Sequence, residues 1–271
     1  MTPPTLHRTV RVHVTPGSKH LERGCNTYAG QPFSEGLCTY YEFDVACCGP
    51  ADSMSGFVES IYAIDDAVRS HIVPRLGHAL AGNDLTSPRT LMPELFELVQ
   101  AQLESSLECL TWRLSPYYSI SGHRMHMDTV TISRSYTFSS SHRLHNPSLD
   151  DAANEQLYGK CSWPSGHGHN YVMDVSLAVP HTPTPEQVIT VDEIDEVVHE
   201  QIIDQFDHRY LNLDTKNFQT TIPTLENITV ECHRMLASRF TDGRATIHRV
   251  RVYETDRTWC EYPPQNAQIG S

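Results

Sequence analysis

The stretch Cys161-Ser-Trp-Pro-Ser-Gly-His-Gly-His-Asn-Tyr171 is the most informative part of the chain. His167 and His169 are two residues apart, and the side chains of an extended strand alternate between its two faces. Both imidazoles therefore point to one face, and Gly168 adds no side chain to the other. Two imidazoles on one face are half of a metal site, and zinc suits imidazole ligands. A third histidine on a neighbouring strand would leave one zinc position open, which is the catalytic arrangement.

His142, which follows Phe138-Ser-Ser-Ser, is the candidate for the third ligand. A His-x-His pair also occurs by chance, and because this chain has 16 histidines the spacing alone leaves an ordinary polar strand open. Cys161, six residues before His167, and the pair Asp207-His208 add groups that can exchange protons. These groups favour a catalytic metal site over a chance pattern.

Several further motifs occur in one order, and together they resemble the 6-pyruvoyltetrahydropterin synthase family. They lie between about residues 128 and 262 and are Phe138-Ser-Ser-Ser-His-Arg-Leu144, Tyr158-Gly-Lys-Cys161, His167-Gly-His-Asn-Tyr171, Phe206-Asp-His208, Leu211-Asn212, Pro223-Thr-Leu-Glu-Asn227 and Val252-Tyr-Glu-Thr-Asp256. The resemblance implies the tunnelling fold, whose subunits join edge to edge into a barrel, and a hexamer made of two stacked trimers.

The resemblance also implies roles for nine side chains. They are zinc ligands His142, His167 and His169; catalytic residues Cys161, Asp207 and His208; and substrate-binding residues Glu254, Thr224 and Glu226. Zinc would make a C–H of the substrate acidic, and the cysteine would take its proton. We expect Lys160 and the zinc to favour the thiolate.

The remaining roles follow in the same way. Asp207 would hold the ring of His208 in one tautomer, and the family joins this pair to the cysteine across a subunit interface. Glu254 would accept two parallel N–H bonds from the pterin, and Thr224 would complete the pocket. Glu226 is either a further substrate contact or only a first-turn helix charge.

The implied reaction converts 7,8-dihydroneopterin triphosphate to 6-pyruvoyl-tetrahydropterin and eliminates triphosphate, which makes the chain a carbon-oxygen lyase. The closest alternative is 6-carboxytetrahydropterin synthase of the queuosine pathway, which uses the same substrate. That branch usually has three residues between the cysteine and His-Gly-His, whereas five lie between Cys161 and His167 here. A folate-type branch replaces the cysteine with glutamate, and a non-catalytic zinc- or pterin-binding module is a further alternative.

The chain also contains an internal repeat. Tyr41-Glu-Phe-Asp-Val45 matches Tyr171-Val-Met-Asp-Val175, Ile64-Asp matches Ile194-Asp, and Leu76-Gly-His78 matches Phe206-Asp-His208, all 130 residues apart. A constant spacing over this length indicates duplication. We therefore predict two domains, 1–124 and 125–271, of which the second is catalytic.

Each copy has the same predicted elements, an α+β fold with an antiparallel sheet and two helices on one face. The predicted order is strand, strand, helix, helix, strand, with an extra short strand before each first helix. The predicted ranges are 8–15, 39–48, 62–75, 91–106 and 110–118 in the first copy, and 128–138, 169–179, 192–205, 225–240 and 247–254 in the second. A tandem chain then needs only three copies to form a particle equivalent to the hexamer.

The first copy lacks the chemistry of the second. At the constant spacing, Leu37 and Thr39 replace His167 and His169, and Gly77 replaces Asp207. The match of Thr90-Leu91 with Thr224-Leu225 places Met92 opposite Glu226; Tyr117-Tyr118 is placed opposite Tyr253-Glu254, and His20 opposite His142. We interpret this copy as a degenerate structural domain. A second site with different chemistry would rest on His20, Cys25 and His78.

Composition limits the partners and the location. The net charge of −13 argues against nucleic acid, whose phosphates require a basic surface. The chain has no run of eighteen apolar residues and no apolar signal-peptide core, so we expect no membrane association and a cytoplasmic protein with reduced cysteines. A phosphate-bearing substrate would need local positive charge, for which Arg143, Lys160 and the zinc are candidates.

Overall fold

A computed structural model describes residues 3–19, 37–82 and 86–263. These residues form two compact units, Met1–Ile132 with Val179–Thr182 and Ser133–Ala178 with Pro183–Ser271. His20 and Cys25 lie outside the described residues. No helix among the described residues is both long and apolar enough to span a bilayer.

The first unit is an antiparallel sheet covered by helices. Its strands follow one another in the order β1-β2-β3-β4. Its elements are β1 (Thr5–Val14), β2 (Thr39–Cys48), α1 (Ile61–Ala67), a π-helical turn (Val68–Ile72), α2 (Val73–Ala81), α3 (Pro88–Gln100), β3 (Ser106–Ser115) and β4 (Tyr118–His123).

Alternation along the strands explains which face of this sheet the helices cover. Val10, Val12 and Val14 on β1 are buried, as are Phe43 and Val45 on β2, because every second side chain points to the helices. Helix α2 packs against β1, and α3 packs against β3 and β4. The core therefore lies between one sheet face and one helical layer.

The second unit repeats this design with additional short elements. Its sheet has the order β5-β6-β8-β9, with β7 pairing parallel to β5. Its elements are β5 (Thr129–His142), α4 (Asp151–Tyr158), a 3-10 turn (Gly159–Ser162), β6 (His167–Pro180), a 3-10 turn (Pro185–Gln187), α5 (Val191–Val198), a π-helical turn (His199–Ile203), α6 (Asp204–Phe206), β7 (Arg209–Tyr210), α7 (Leu211–Asp214), α8 (Leu225–Ala237), β8 (Thr246–Thr255) and β9 (Thr258–Tyr262).

The predicted order of elements is correct in its main part and wrong in three places. Each unit ends in a hairpin, β3-β4 or β8-β9, where the sequence predicted a single last strand. Among the described residues, no strand lies between β2 and α1 or between β6 and α5, whereas a short strand was predicted at both places. Helix α4 was missed because its eight residues show little amphipathic periodicity and it bears one buried residue, Asn154.

Matching irregularities in the two units support the duplication. The pairing register shifts at Ala46/Cys47 in the first unit and at Ser176/Leu177 in the second, 130 residues later. Each first helix also contains one π-helical turn. Such irregularities do not follow from hydrophobic patterning, so their recurrence indicates two copies of one domain.

The same ion pair holds the first helix to the first strand in both units. Arg8 donates to both carboxylate oxygens of Asp65 at 2.8 Å, and Arg134 donates to both oxygens of Asp195 at 3.1 and 2.5 Å. Tyr136, which is buried, adds a hydroxyl bond of 2.6 Å to Asp195. These partly buried bidentate contacts fix the position of each helix on its sheet.

The substitution Asp195→Asn should lower the free energy of unfolding by about 1–3 kcal/mol, because Arg134 and Tyr136 lose a charged acceptor in a partly buried setting. Urea denaturation measures this loss. Glu196→Gln is the matched control, since Glu196 is the next residue on α5, is exposed, and forms no ion pair within the described ranges. Equal stability of the two variants would contradict the role given to Asp195.

Candidate metal centre and active site

The three predicted histidine ligands converge in the second unit. His142 is the last residue of β5, and His167 and His169 open β6. Their ring centroids are 4.5, 5.2 and 4.9 Å apart in pairs. Each ring offers a nitrogen, and the three nitrogens lie within 4.8 Å of one another. The strand ends thus supply the three-imidazole arrangement that the sequence predicted.

His142 is held in one orientation by the main chain. Its Nδ1–H donates to the carbonyl of Pro223 at 2.7 Å, which leaves Nε2 as the lone-pair atom. Its side chain is 1% exposed, and burial lowers its pKa to about 4. His142 is therefore neutral at physiological pH, as a metal ligand must be.

A bound cation explains the positions of the ring nitrogens in this cluster better than contacts within the protein alone. His142 Nε2 and His167 Nε2 are 3.1 Å apart, close to the separation of about 3.3 Å between two nitrogens on a tetrahedral zinc. His169 Nε2 is buried without a hydrogen-bond partner among the described residues. Buried polar atoms without partners are costly, so a cation at the centre explains the arrangement.

Glu254 adds a negative charge at the edge of the cluster. It lies on β8, and its Oε1 is 3.5 Å from His142 Nε2 and 3.4 Å from His169 Nε2. Val252 and Val250, two and four residues earlier, are buried on the same face of the strand. The alternation of β8 therefore brings this carboxylate to the imidazoles.

Cys161 lies in the loop that joins β5 to β6. Its carbonyl accepts an N–H bond from Leu144 at 2.8 Å, two residues beyond His142. Burial and, to a lesser degree, the charge of Glu254 raise the pKa of its thiol. Lys160 is exposed, and the lowered thiol pKa expected from it is not found. A thiolate would depend on positive charge from a bound ion.

Asp207 and His208 form a pair on the surface. His208 Nδ1 donates to Asp207 Oδ2 at 2.7 Å, and Asp207 Oδ1 accepts from the N–H of Ser139 at 2.7 Å. The His208 side chain is 82% exposed, and within the described ranges no hydrogen bond or ion pair joins it to Cys161 or the histidines. The ring of His208 is therefore held in one tautomer at the surface, without a hydrogen bond to the histidine cluster in the described part of the chain.

Thr224 and Glu226 lie at the beginning of α8. Thr224 is the N-cap and accepts from the N–H of Asn227 at 3.3 Å, so its side chain has a structural role. Glu226 is exposed in the first turn and forms no ion pair among the described residues. The preceding segment lines a cavity of about 390 Å³, together with Arg143 and His145.

Two asparagines that sequence analysis did not assign hold this region together. Asn212 accepts from the N–H of Arg143 at 2.8 Å and donates to its carbonyl at 2.9 Å. Asn154, 1% exposed, accepts from the N–H of Asn146 and donates to three main-chain carbonyls. The motif Leu211-Asn212 was a signal for the first, but no sequence pattern pointed to Asn154.

Thr190 is the N-cap of α5. Its hydroxyl accepts from the N–H of Glu193 at 3.1 Å, and the Glu193 carboxylate accepts from the N–H of Thr190 at 2.8 Å. This capping box satisfies two first-turn donors. Threonine thus performs the capping task that Asp or Asn also performs.

The first unit has no counterpart of this cluster among its described residues. Leu37 and Thr39 take the places of His167 and His169. A Cβ atom on Gly77, the counterpart of Asp207, would lie 2.5 Å from the carbonyl oxygen of Ser18. The backbone of residue 18 occupies this space, so an aspartate cannot be accommodated without rearrangement. His78, the retained counterpart of His208, has lost its carboxylate partner.

Two of the predicted counterparts in the first unit are wrong. The N-caps Ser87 and Thr224 begin helices of 13 residues each, which places Arg89, not Met92, opposite Glu226. The hairpin turns Ser115–Tyr118 and Thr255–Thr258 place Leu114, not Tyr117-Tyr118, opposite Glu254. His20, which was placed opposite His142, lies outside the described residues. Short insertions and deletions between elements caused these errors.

Comparison with known proteins finds a match in the second unit. The model of the 6-pyruvoyl tetrahydropterin synthase family matches residues 131–265. A putative 6-pyruvoyl tetrahydrobiopterin synthase of Caenorhabditis elegans is 35% identical over 136 residues, which are 50% of this chain and 96% of that protein. The 6-pyruvoyl tetrahydrobiopterin synthase of Homo sapiens is 34% identical and matches over 48% of this chain and 89% of its own length.

A solved structure gives a similar match. The structure of Caenorhabditis elegans 6-pyruvoyl tetrahydropterin synthase is 34% identical, covers 49% of this chain and 94% of its own, and has a TM-score of 0.46. Identities above 30% over nearly the whole length of the relatives show the relationship. The chain belongs, through its second unit, to the 6-pyruvoyl tetrahydropterin synthase family.

Proposed function

We propose that this protein is a zinc-dependent 6-pyruvoyltetrahydropterin synthase that converts 7,8-dihydroneopterin triphosphate to 6-pyruvoyl-tetrahydropterin with elimination of triphosphate. The observation that carries the proposal is the convergence of His142, His167 and His169 on one point, with Cys161 in the adjoining loop. Relatives that bear the name of this synthase support it.

Each side chain has a task that its surroundings allow. His142, His167 and His169 would hold zinc, which when bound supplies a Lewis acid that polarises a substrate oxygen. Cys161 would take a proton from the substrate carbon, and partial exposure leaves its thiol accessible. His208, oriented by Asp207, would accept or return a proton at its Nε2, which faces outward.

The two glutamates differ in their positions. Glu254 lies within 3.5 Å of two imidazoles, and its carboxylate would accept N–H bonds from the pterin beside the metal. Glu226 is exposed at the start of α8 and is free of ion pairs within the described ranges. Glu226 would therefore be available for the same kind of contact, with Thr224 next to it.

The exposed position of Asp207 and His208 favours a site shared between chains. Within one chain, no hydrogen bond or ion pair joins the pair to the cluster in the part that the structure describes, so the single hydrogen bond that fixes the tautomer of the exposed ring serves no described contact inside the chain. We expect three chains to assemble through their sheet edges, each pair of chains combining Cys161 of one with His208 of the next.

The reaction product distinguishes the proposed activity from two alternatives. Five residues between Cys161 and His167, and relatives named for the pyruvoyl activity, favour the pyruvoyl product over a 6-carboxy product. A non-catalytic module would leave the substrate unchanged. Incubation of the zinc-loaded protein with 7,8-dihydroneopterin triphosphate, followed by mass spectrometry of the pterins, separates the three; unreacted substrate would refute the proposed enzyme.

The substitution Cys161→Ala should reduce kcat at least about 100-fold, because the substrate proton loses its acceptor. Zinc content should stay at the wild-type level, since the thiol is not among the three proposed ligands. Cys48→Ala in the first unit is the control and should keep full activity. Activity of Cys161→Ala near that of the wild type would remove the cysteine from the mechanism.

The purified protein should contain one zinc per chain, measured by inductively coupled plasma mass spectrometry. His142→Ala should lose it, because two imidazoles alone bind zinc much more weakly than three. His126→Ala, which removes an exposed histidine outside the cluster, should retain the metal. Two tightly bound zinc ions per chain would show that the first unit has a metal site of its own.

Co-expression of Cys161→Ala with Asp207→Asn should restore activity that neither variant has alone. In a ring of mixed chains, roughly a quarter of the shared sites would combine an intact cysteine with an intact aspartate. The control is a mixture of the two variants, which are purified separately and assayed before their subunits exchange. No recovery in co-expressed particles of mixed composition would place the complete site within one chain.

A further inference from the structure

Arg89 is an unusual residue of the first unit because two nitrogens of its guanidinium are buried and have no partner within the described part of the chain. The residue is 8% exposed, and its Nε and Nη1 atoms are buried without a hydrogen bond. No carboxylate within the described ranges forms an ion pair with it. Burial lowers the pKa of this guanidinium, which means that the charged form is poorly solvated where it lies. Buried charges are normally paired, so an unpaired one indicates a missing partner.

The position of Arg89 on its helix favours a negatively charged partner. It is the second residue of α3, a helix of 13 residues that begins after Ser87. Helical side chains lean toward the N-terminus, where the helix dipole is positive. The hydroxyl and the carbonyl of Ser87 already accept hydrogen bonds from the main-chain N–H groups of this turn, including that of Arg89 at 3.3 Å. The free donors at this helix end are therefore those of the guanidinium.

The corresponding place in the second unit has the opposite charge. Arg89 stands opposite Glu226, because the two N-caps and the two helix lengths coincide. Leu114 stands opposite Glu254, so the carboxylate next to the imidazoles is also absent. The first unit has therefore lost two acidic side chains at this end of its sheet and gained one arginine. These changes replace hydrogen-bond acceptors with a cationic donor, so the place favours a negatively charged acceptor as its ligand.

Other polar clusters of the first unit do not have this property. Arg11, Glu42, Asp44 and Arg113 line a cavity on the open face of the sheet, but they pair with one another at 2.7–2.9 Å. Arg75 pairs with Glu94 at 2.6 Å. Each of these cations has a carboxylate of its own, which sets Arg89 apart from them.

We propose that the first unit contains a binding site for a small oxyanion, of the phosphate or carboxylate class, formed by the Arg89 guanidinium at the N-terminus of α3. A planar guanidinium binds two oxygens of such an anion in parallel, and the helix dipole adds to the attraction. The site is independent of the metal centre and of the proposed reaction. It gives the first unit a ligand of its own beside its structural role.

Thermal unfolding of the zinc-loaded protein in inorganic phosphate tests the site, with chloride at equal ionic strength as the reference. At about ten times the dissociation constant, the wild-type melting temperature should rise by roughly 3 °C, because only the folded state binds. Arg89→Met should show no phosphate-dependent rise. Arg75→Met, which removes a paired arginine from the neighbouring helix, should retain the wild-type response.

A second measurement locates the anion and keeps the test valid if Arg89→Met folds poorly. Crystals of the wild-type protein soaked in selenate should give an anomalous peak within hydrogen-bond distance of the Arg89 guanidinium. Arg89→Lys, which keeps the charge but not the two-pronged geometry, should weaken the phosphate response about tenfold or more. Circular dichroism and zinc content confirm that each variant is folded.

Three results would overturn the proposal. The first is an equal phosphate response in the wild type and Arg89→Met, which would assign the effect to another site such as the metal centre. The second is the absence of any response together with no selenate peak, which would mean that water alone solvates Arg89. The third is a change in particle mass on Arg89→Met without anion binding, which would make the partner a carboxylate from a second chain.

Discussion

The metal centre depends on the hydrogen bond from His142 Nδ1 to the carbonyl of Pro223. This bond fixes the tautomer of a ring that is almost fully buried, and it ties the end of β5 to the residue before the N-cap of α8. With Nε2 of His142 fixed, the spacing of His167 and His169 along β6 determines the other two corners. The ring of His142 is therefore oriented by a backbone contact before any ion binds.

The loop between β5 and β6 packs closely against the end of β5, which carries His142. Gly166 has a left-handed backbone, with φ of 68°, and a Cβ there would lie 2.8 Å from the carbonyl of His142. The chain can therefore approach β5 closely just before it enters β6. Asn154 and Asn212 hold the rest of the loop by main-chain bonds. Rigid backbone support of this kind positions the loop that carries Cys161 without requiring an ion to hold it.

The two units share the contacts that hold the fold together but differ in the side chains that could carry chemistry. The ion pairs of Arg8 with Asp65 and Arg134 with Asp195 recur in both units, as do the π-helical turns and the bulges. The imidazoles, the Asp207 carboxylate and Glu254 occur in one unit only. Because the retained features join helix to sheet, the first unit keeps its fold after losing its metal ligands, and its site residues were free to change.

The sequence by itself determined the family, the α+β class, the duplication and the nine candidate side chains, because strand period, motif order and constant spacing are local properties. It also placed His142, His167 and His169 together correctly, since a strand end and a two-residue spacing fix their directions. Tertiary structure alone decided which residues support them. Pro223 accepts from His142, the register of β6 with β8 brings Glu254 to the imidazoles, and Asn154 holds the loop after β5, and no local pattern encodes these contacts. The same holds for Arg89, whose burial and lack of a partner depend on what surrounds it, and for the thiol of Cys161, whose pKa is raised by burial and Glu254 although the neighbouring Lys160 suggested the opposite.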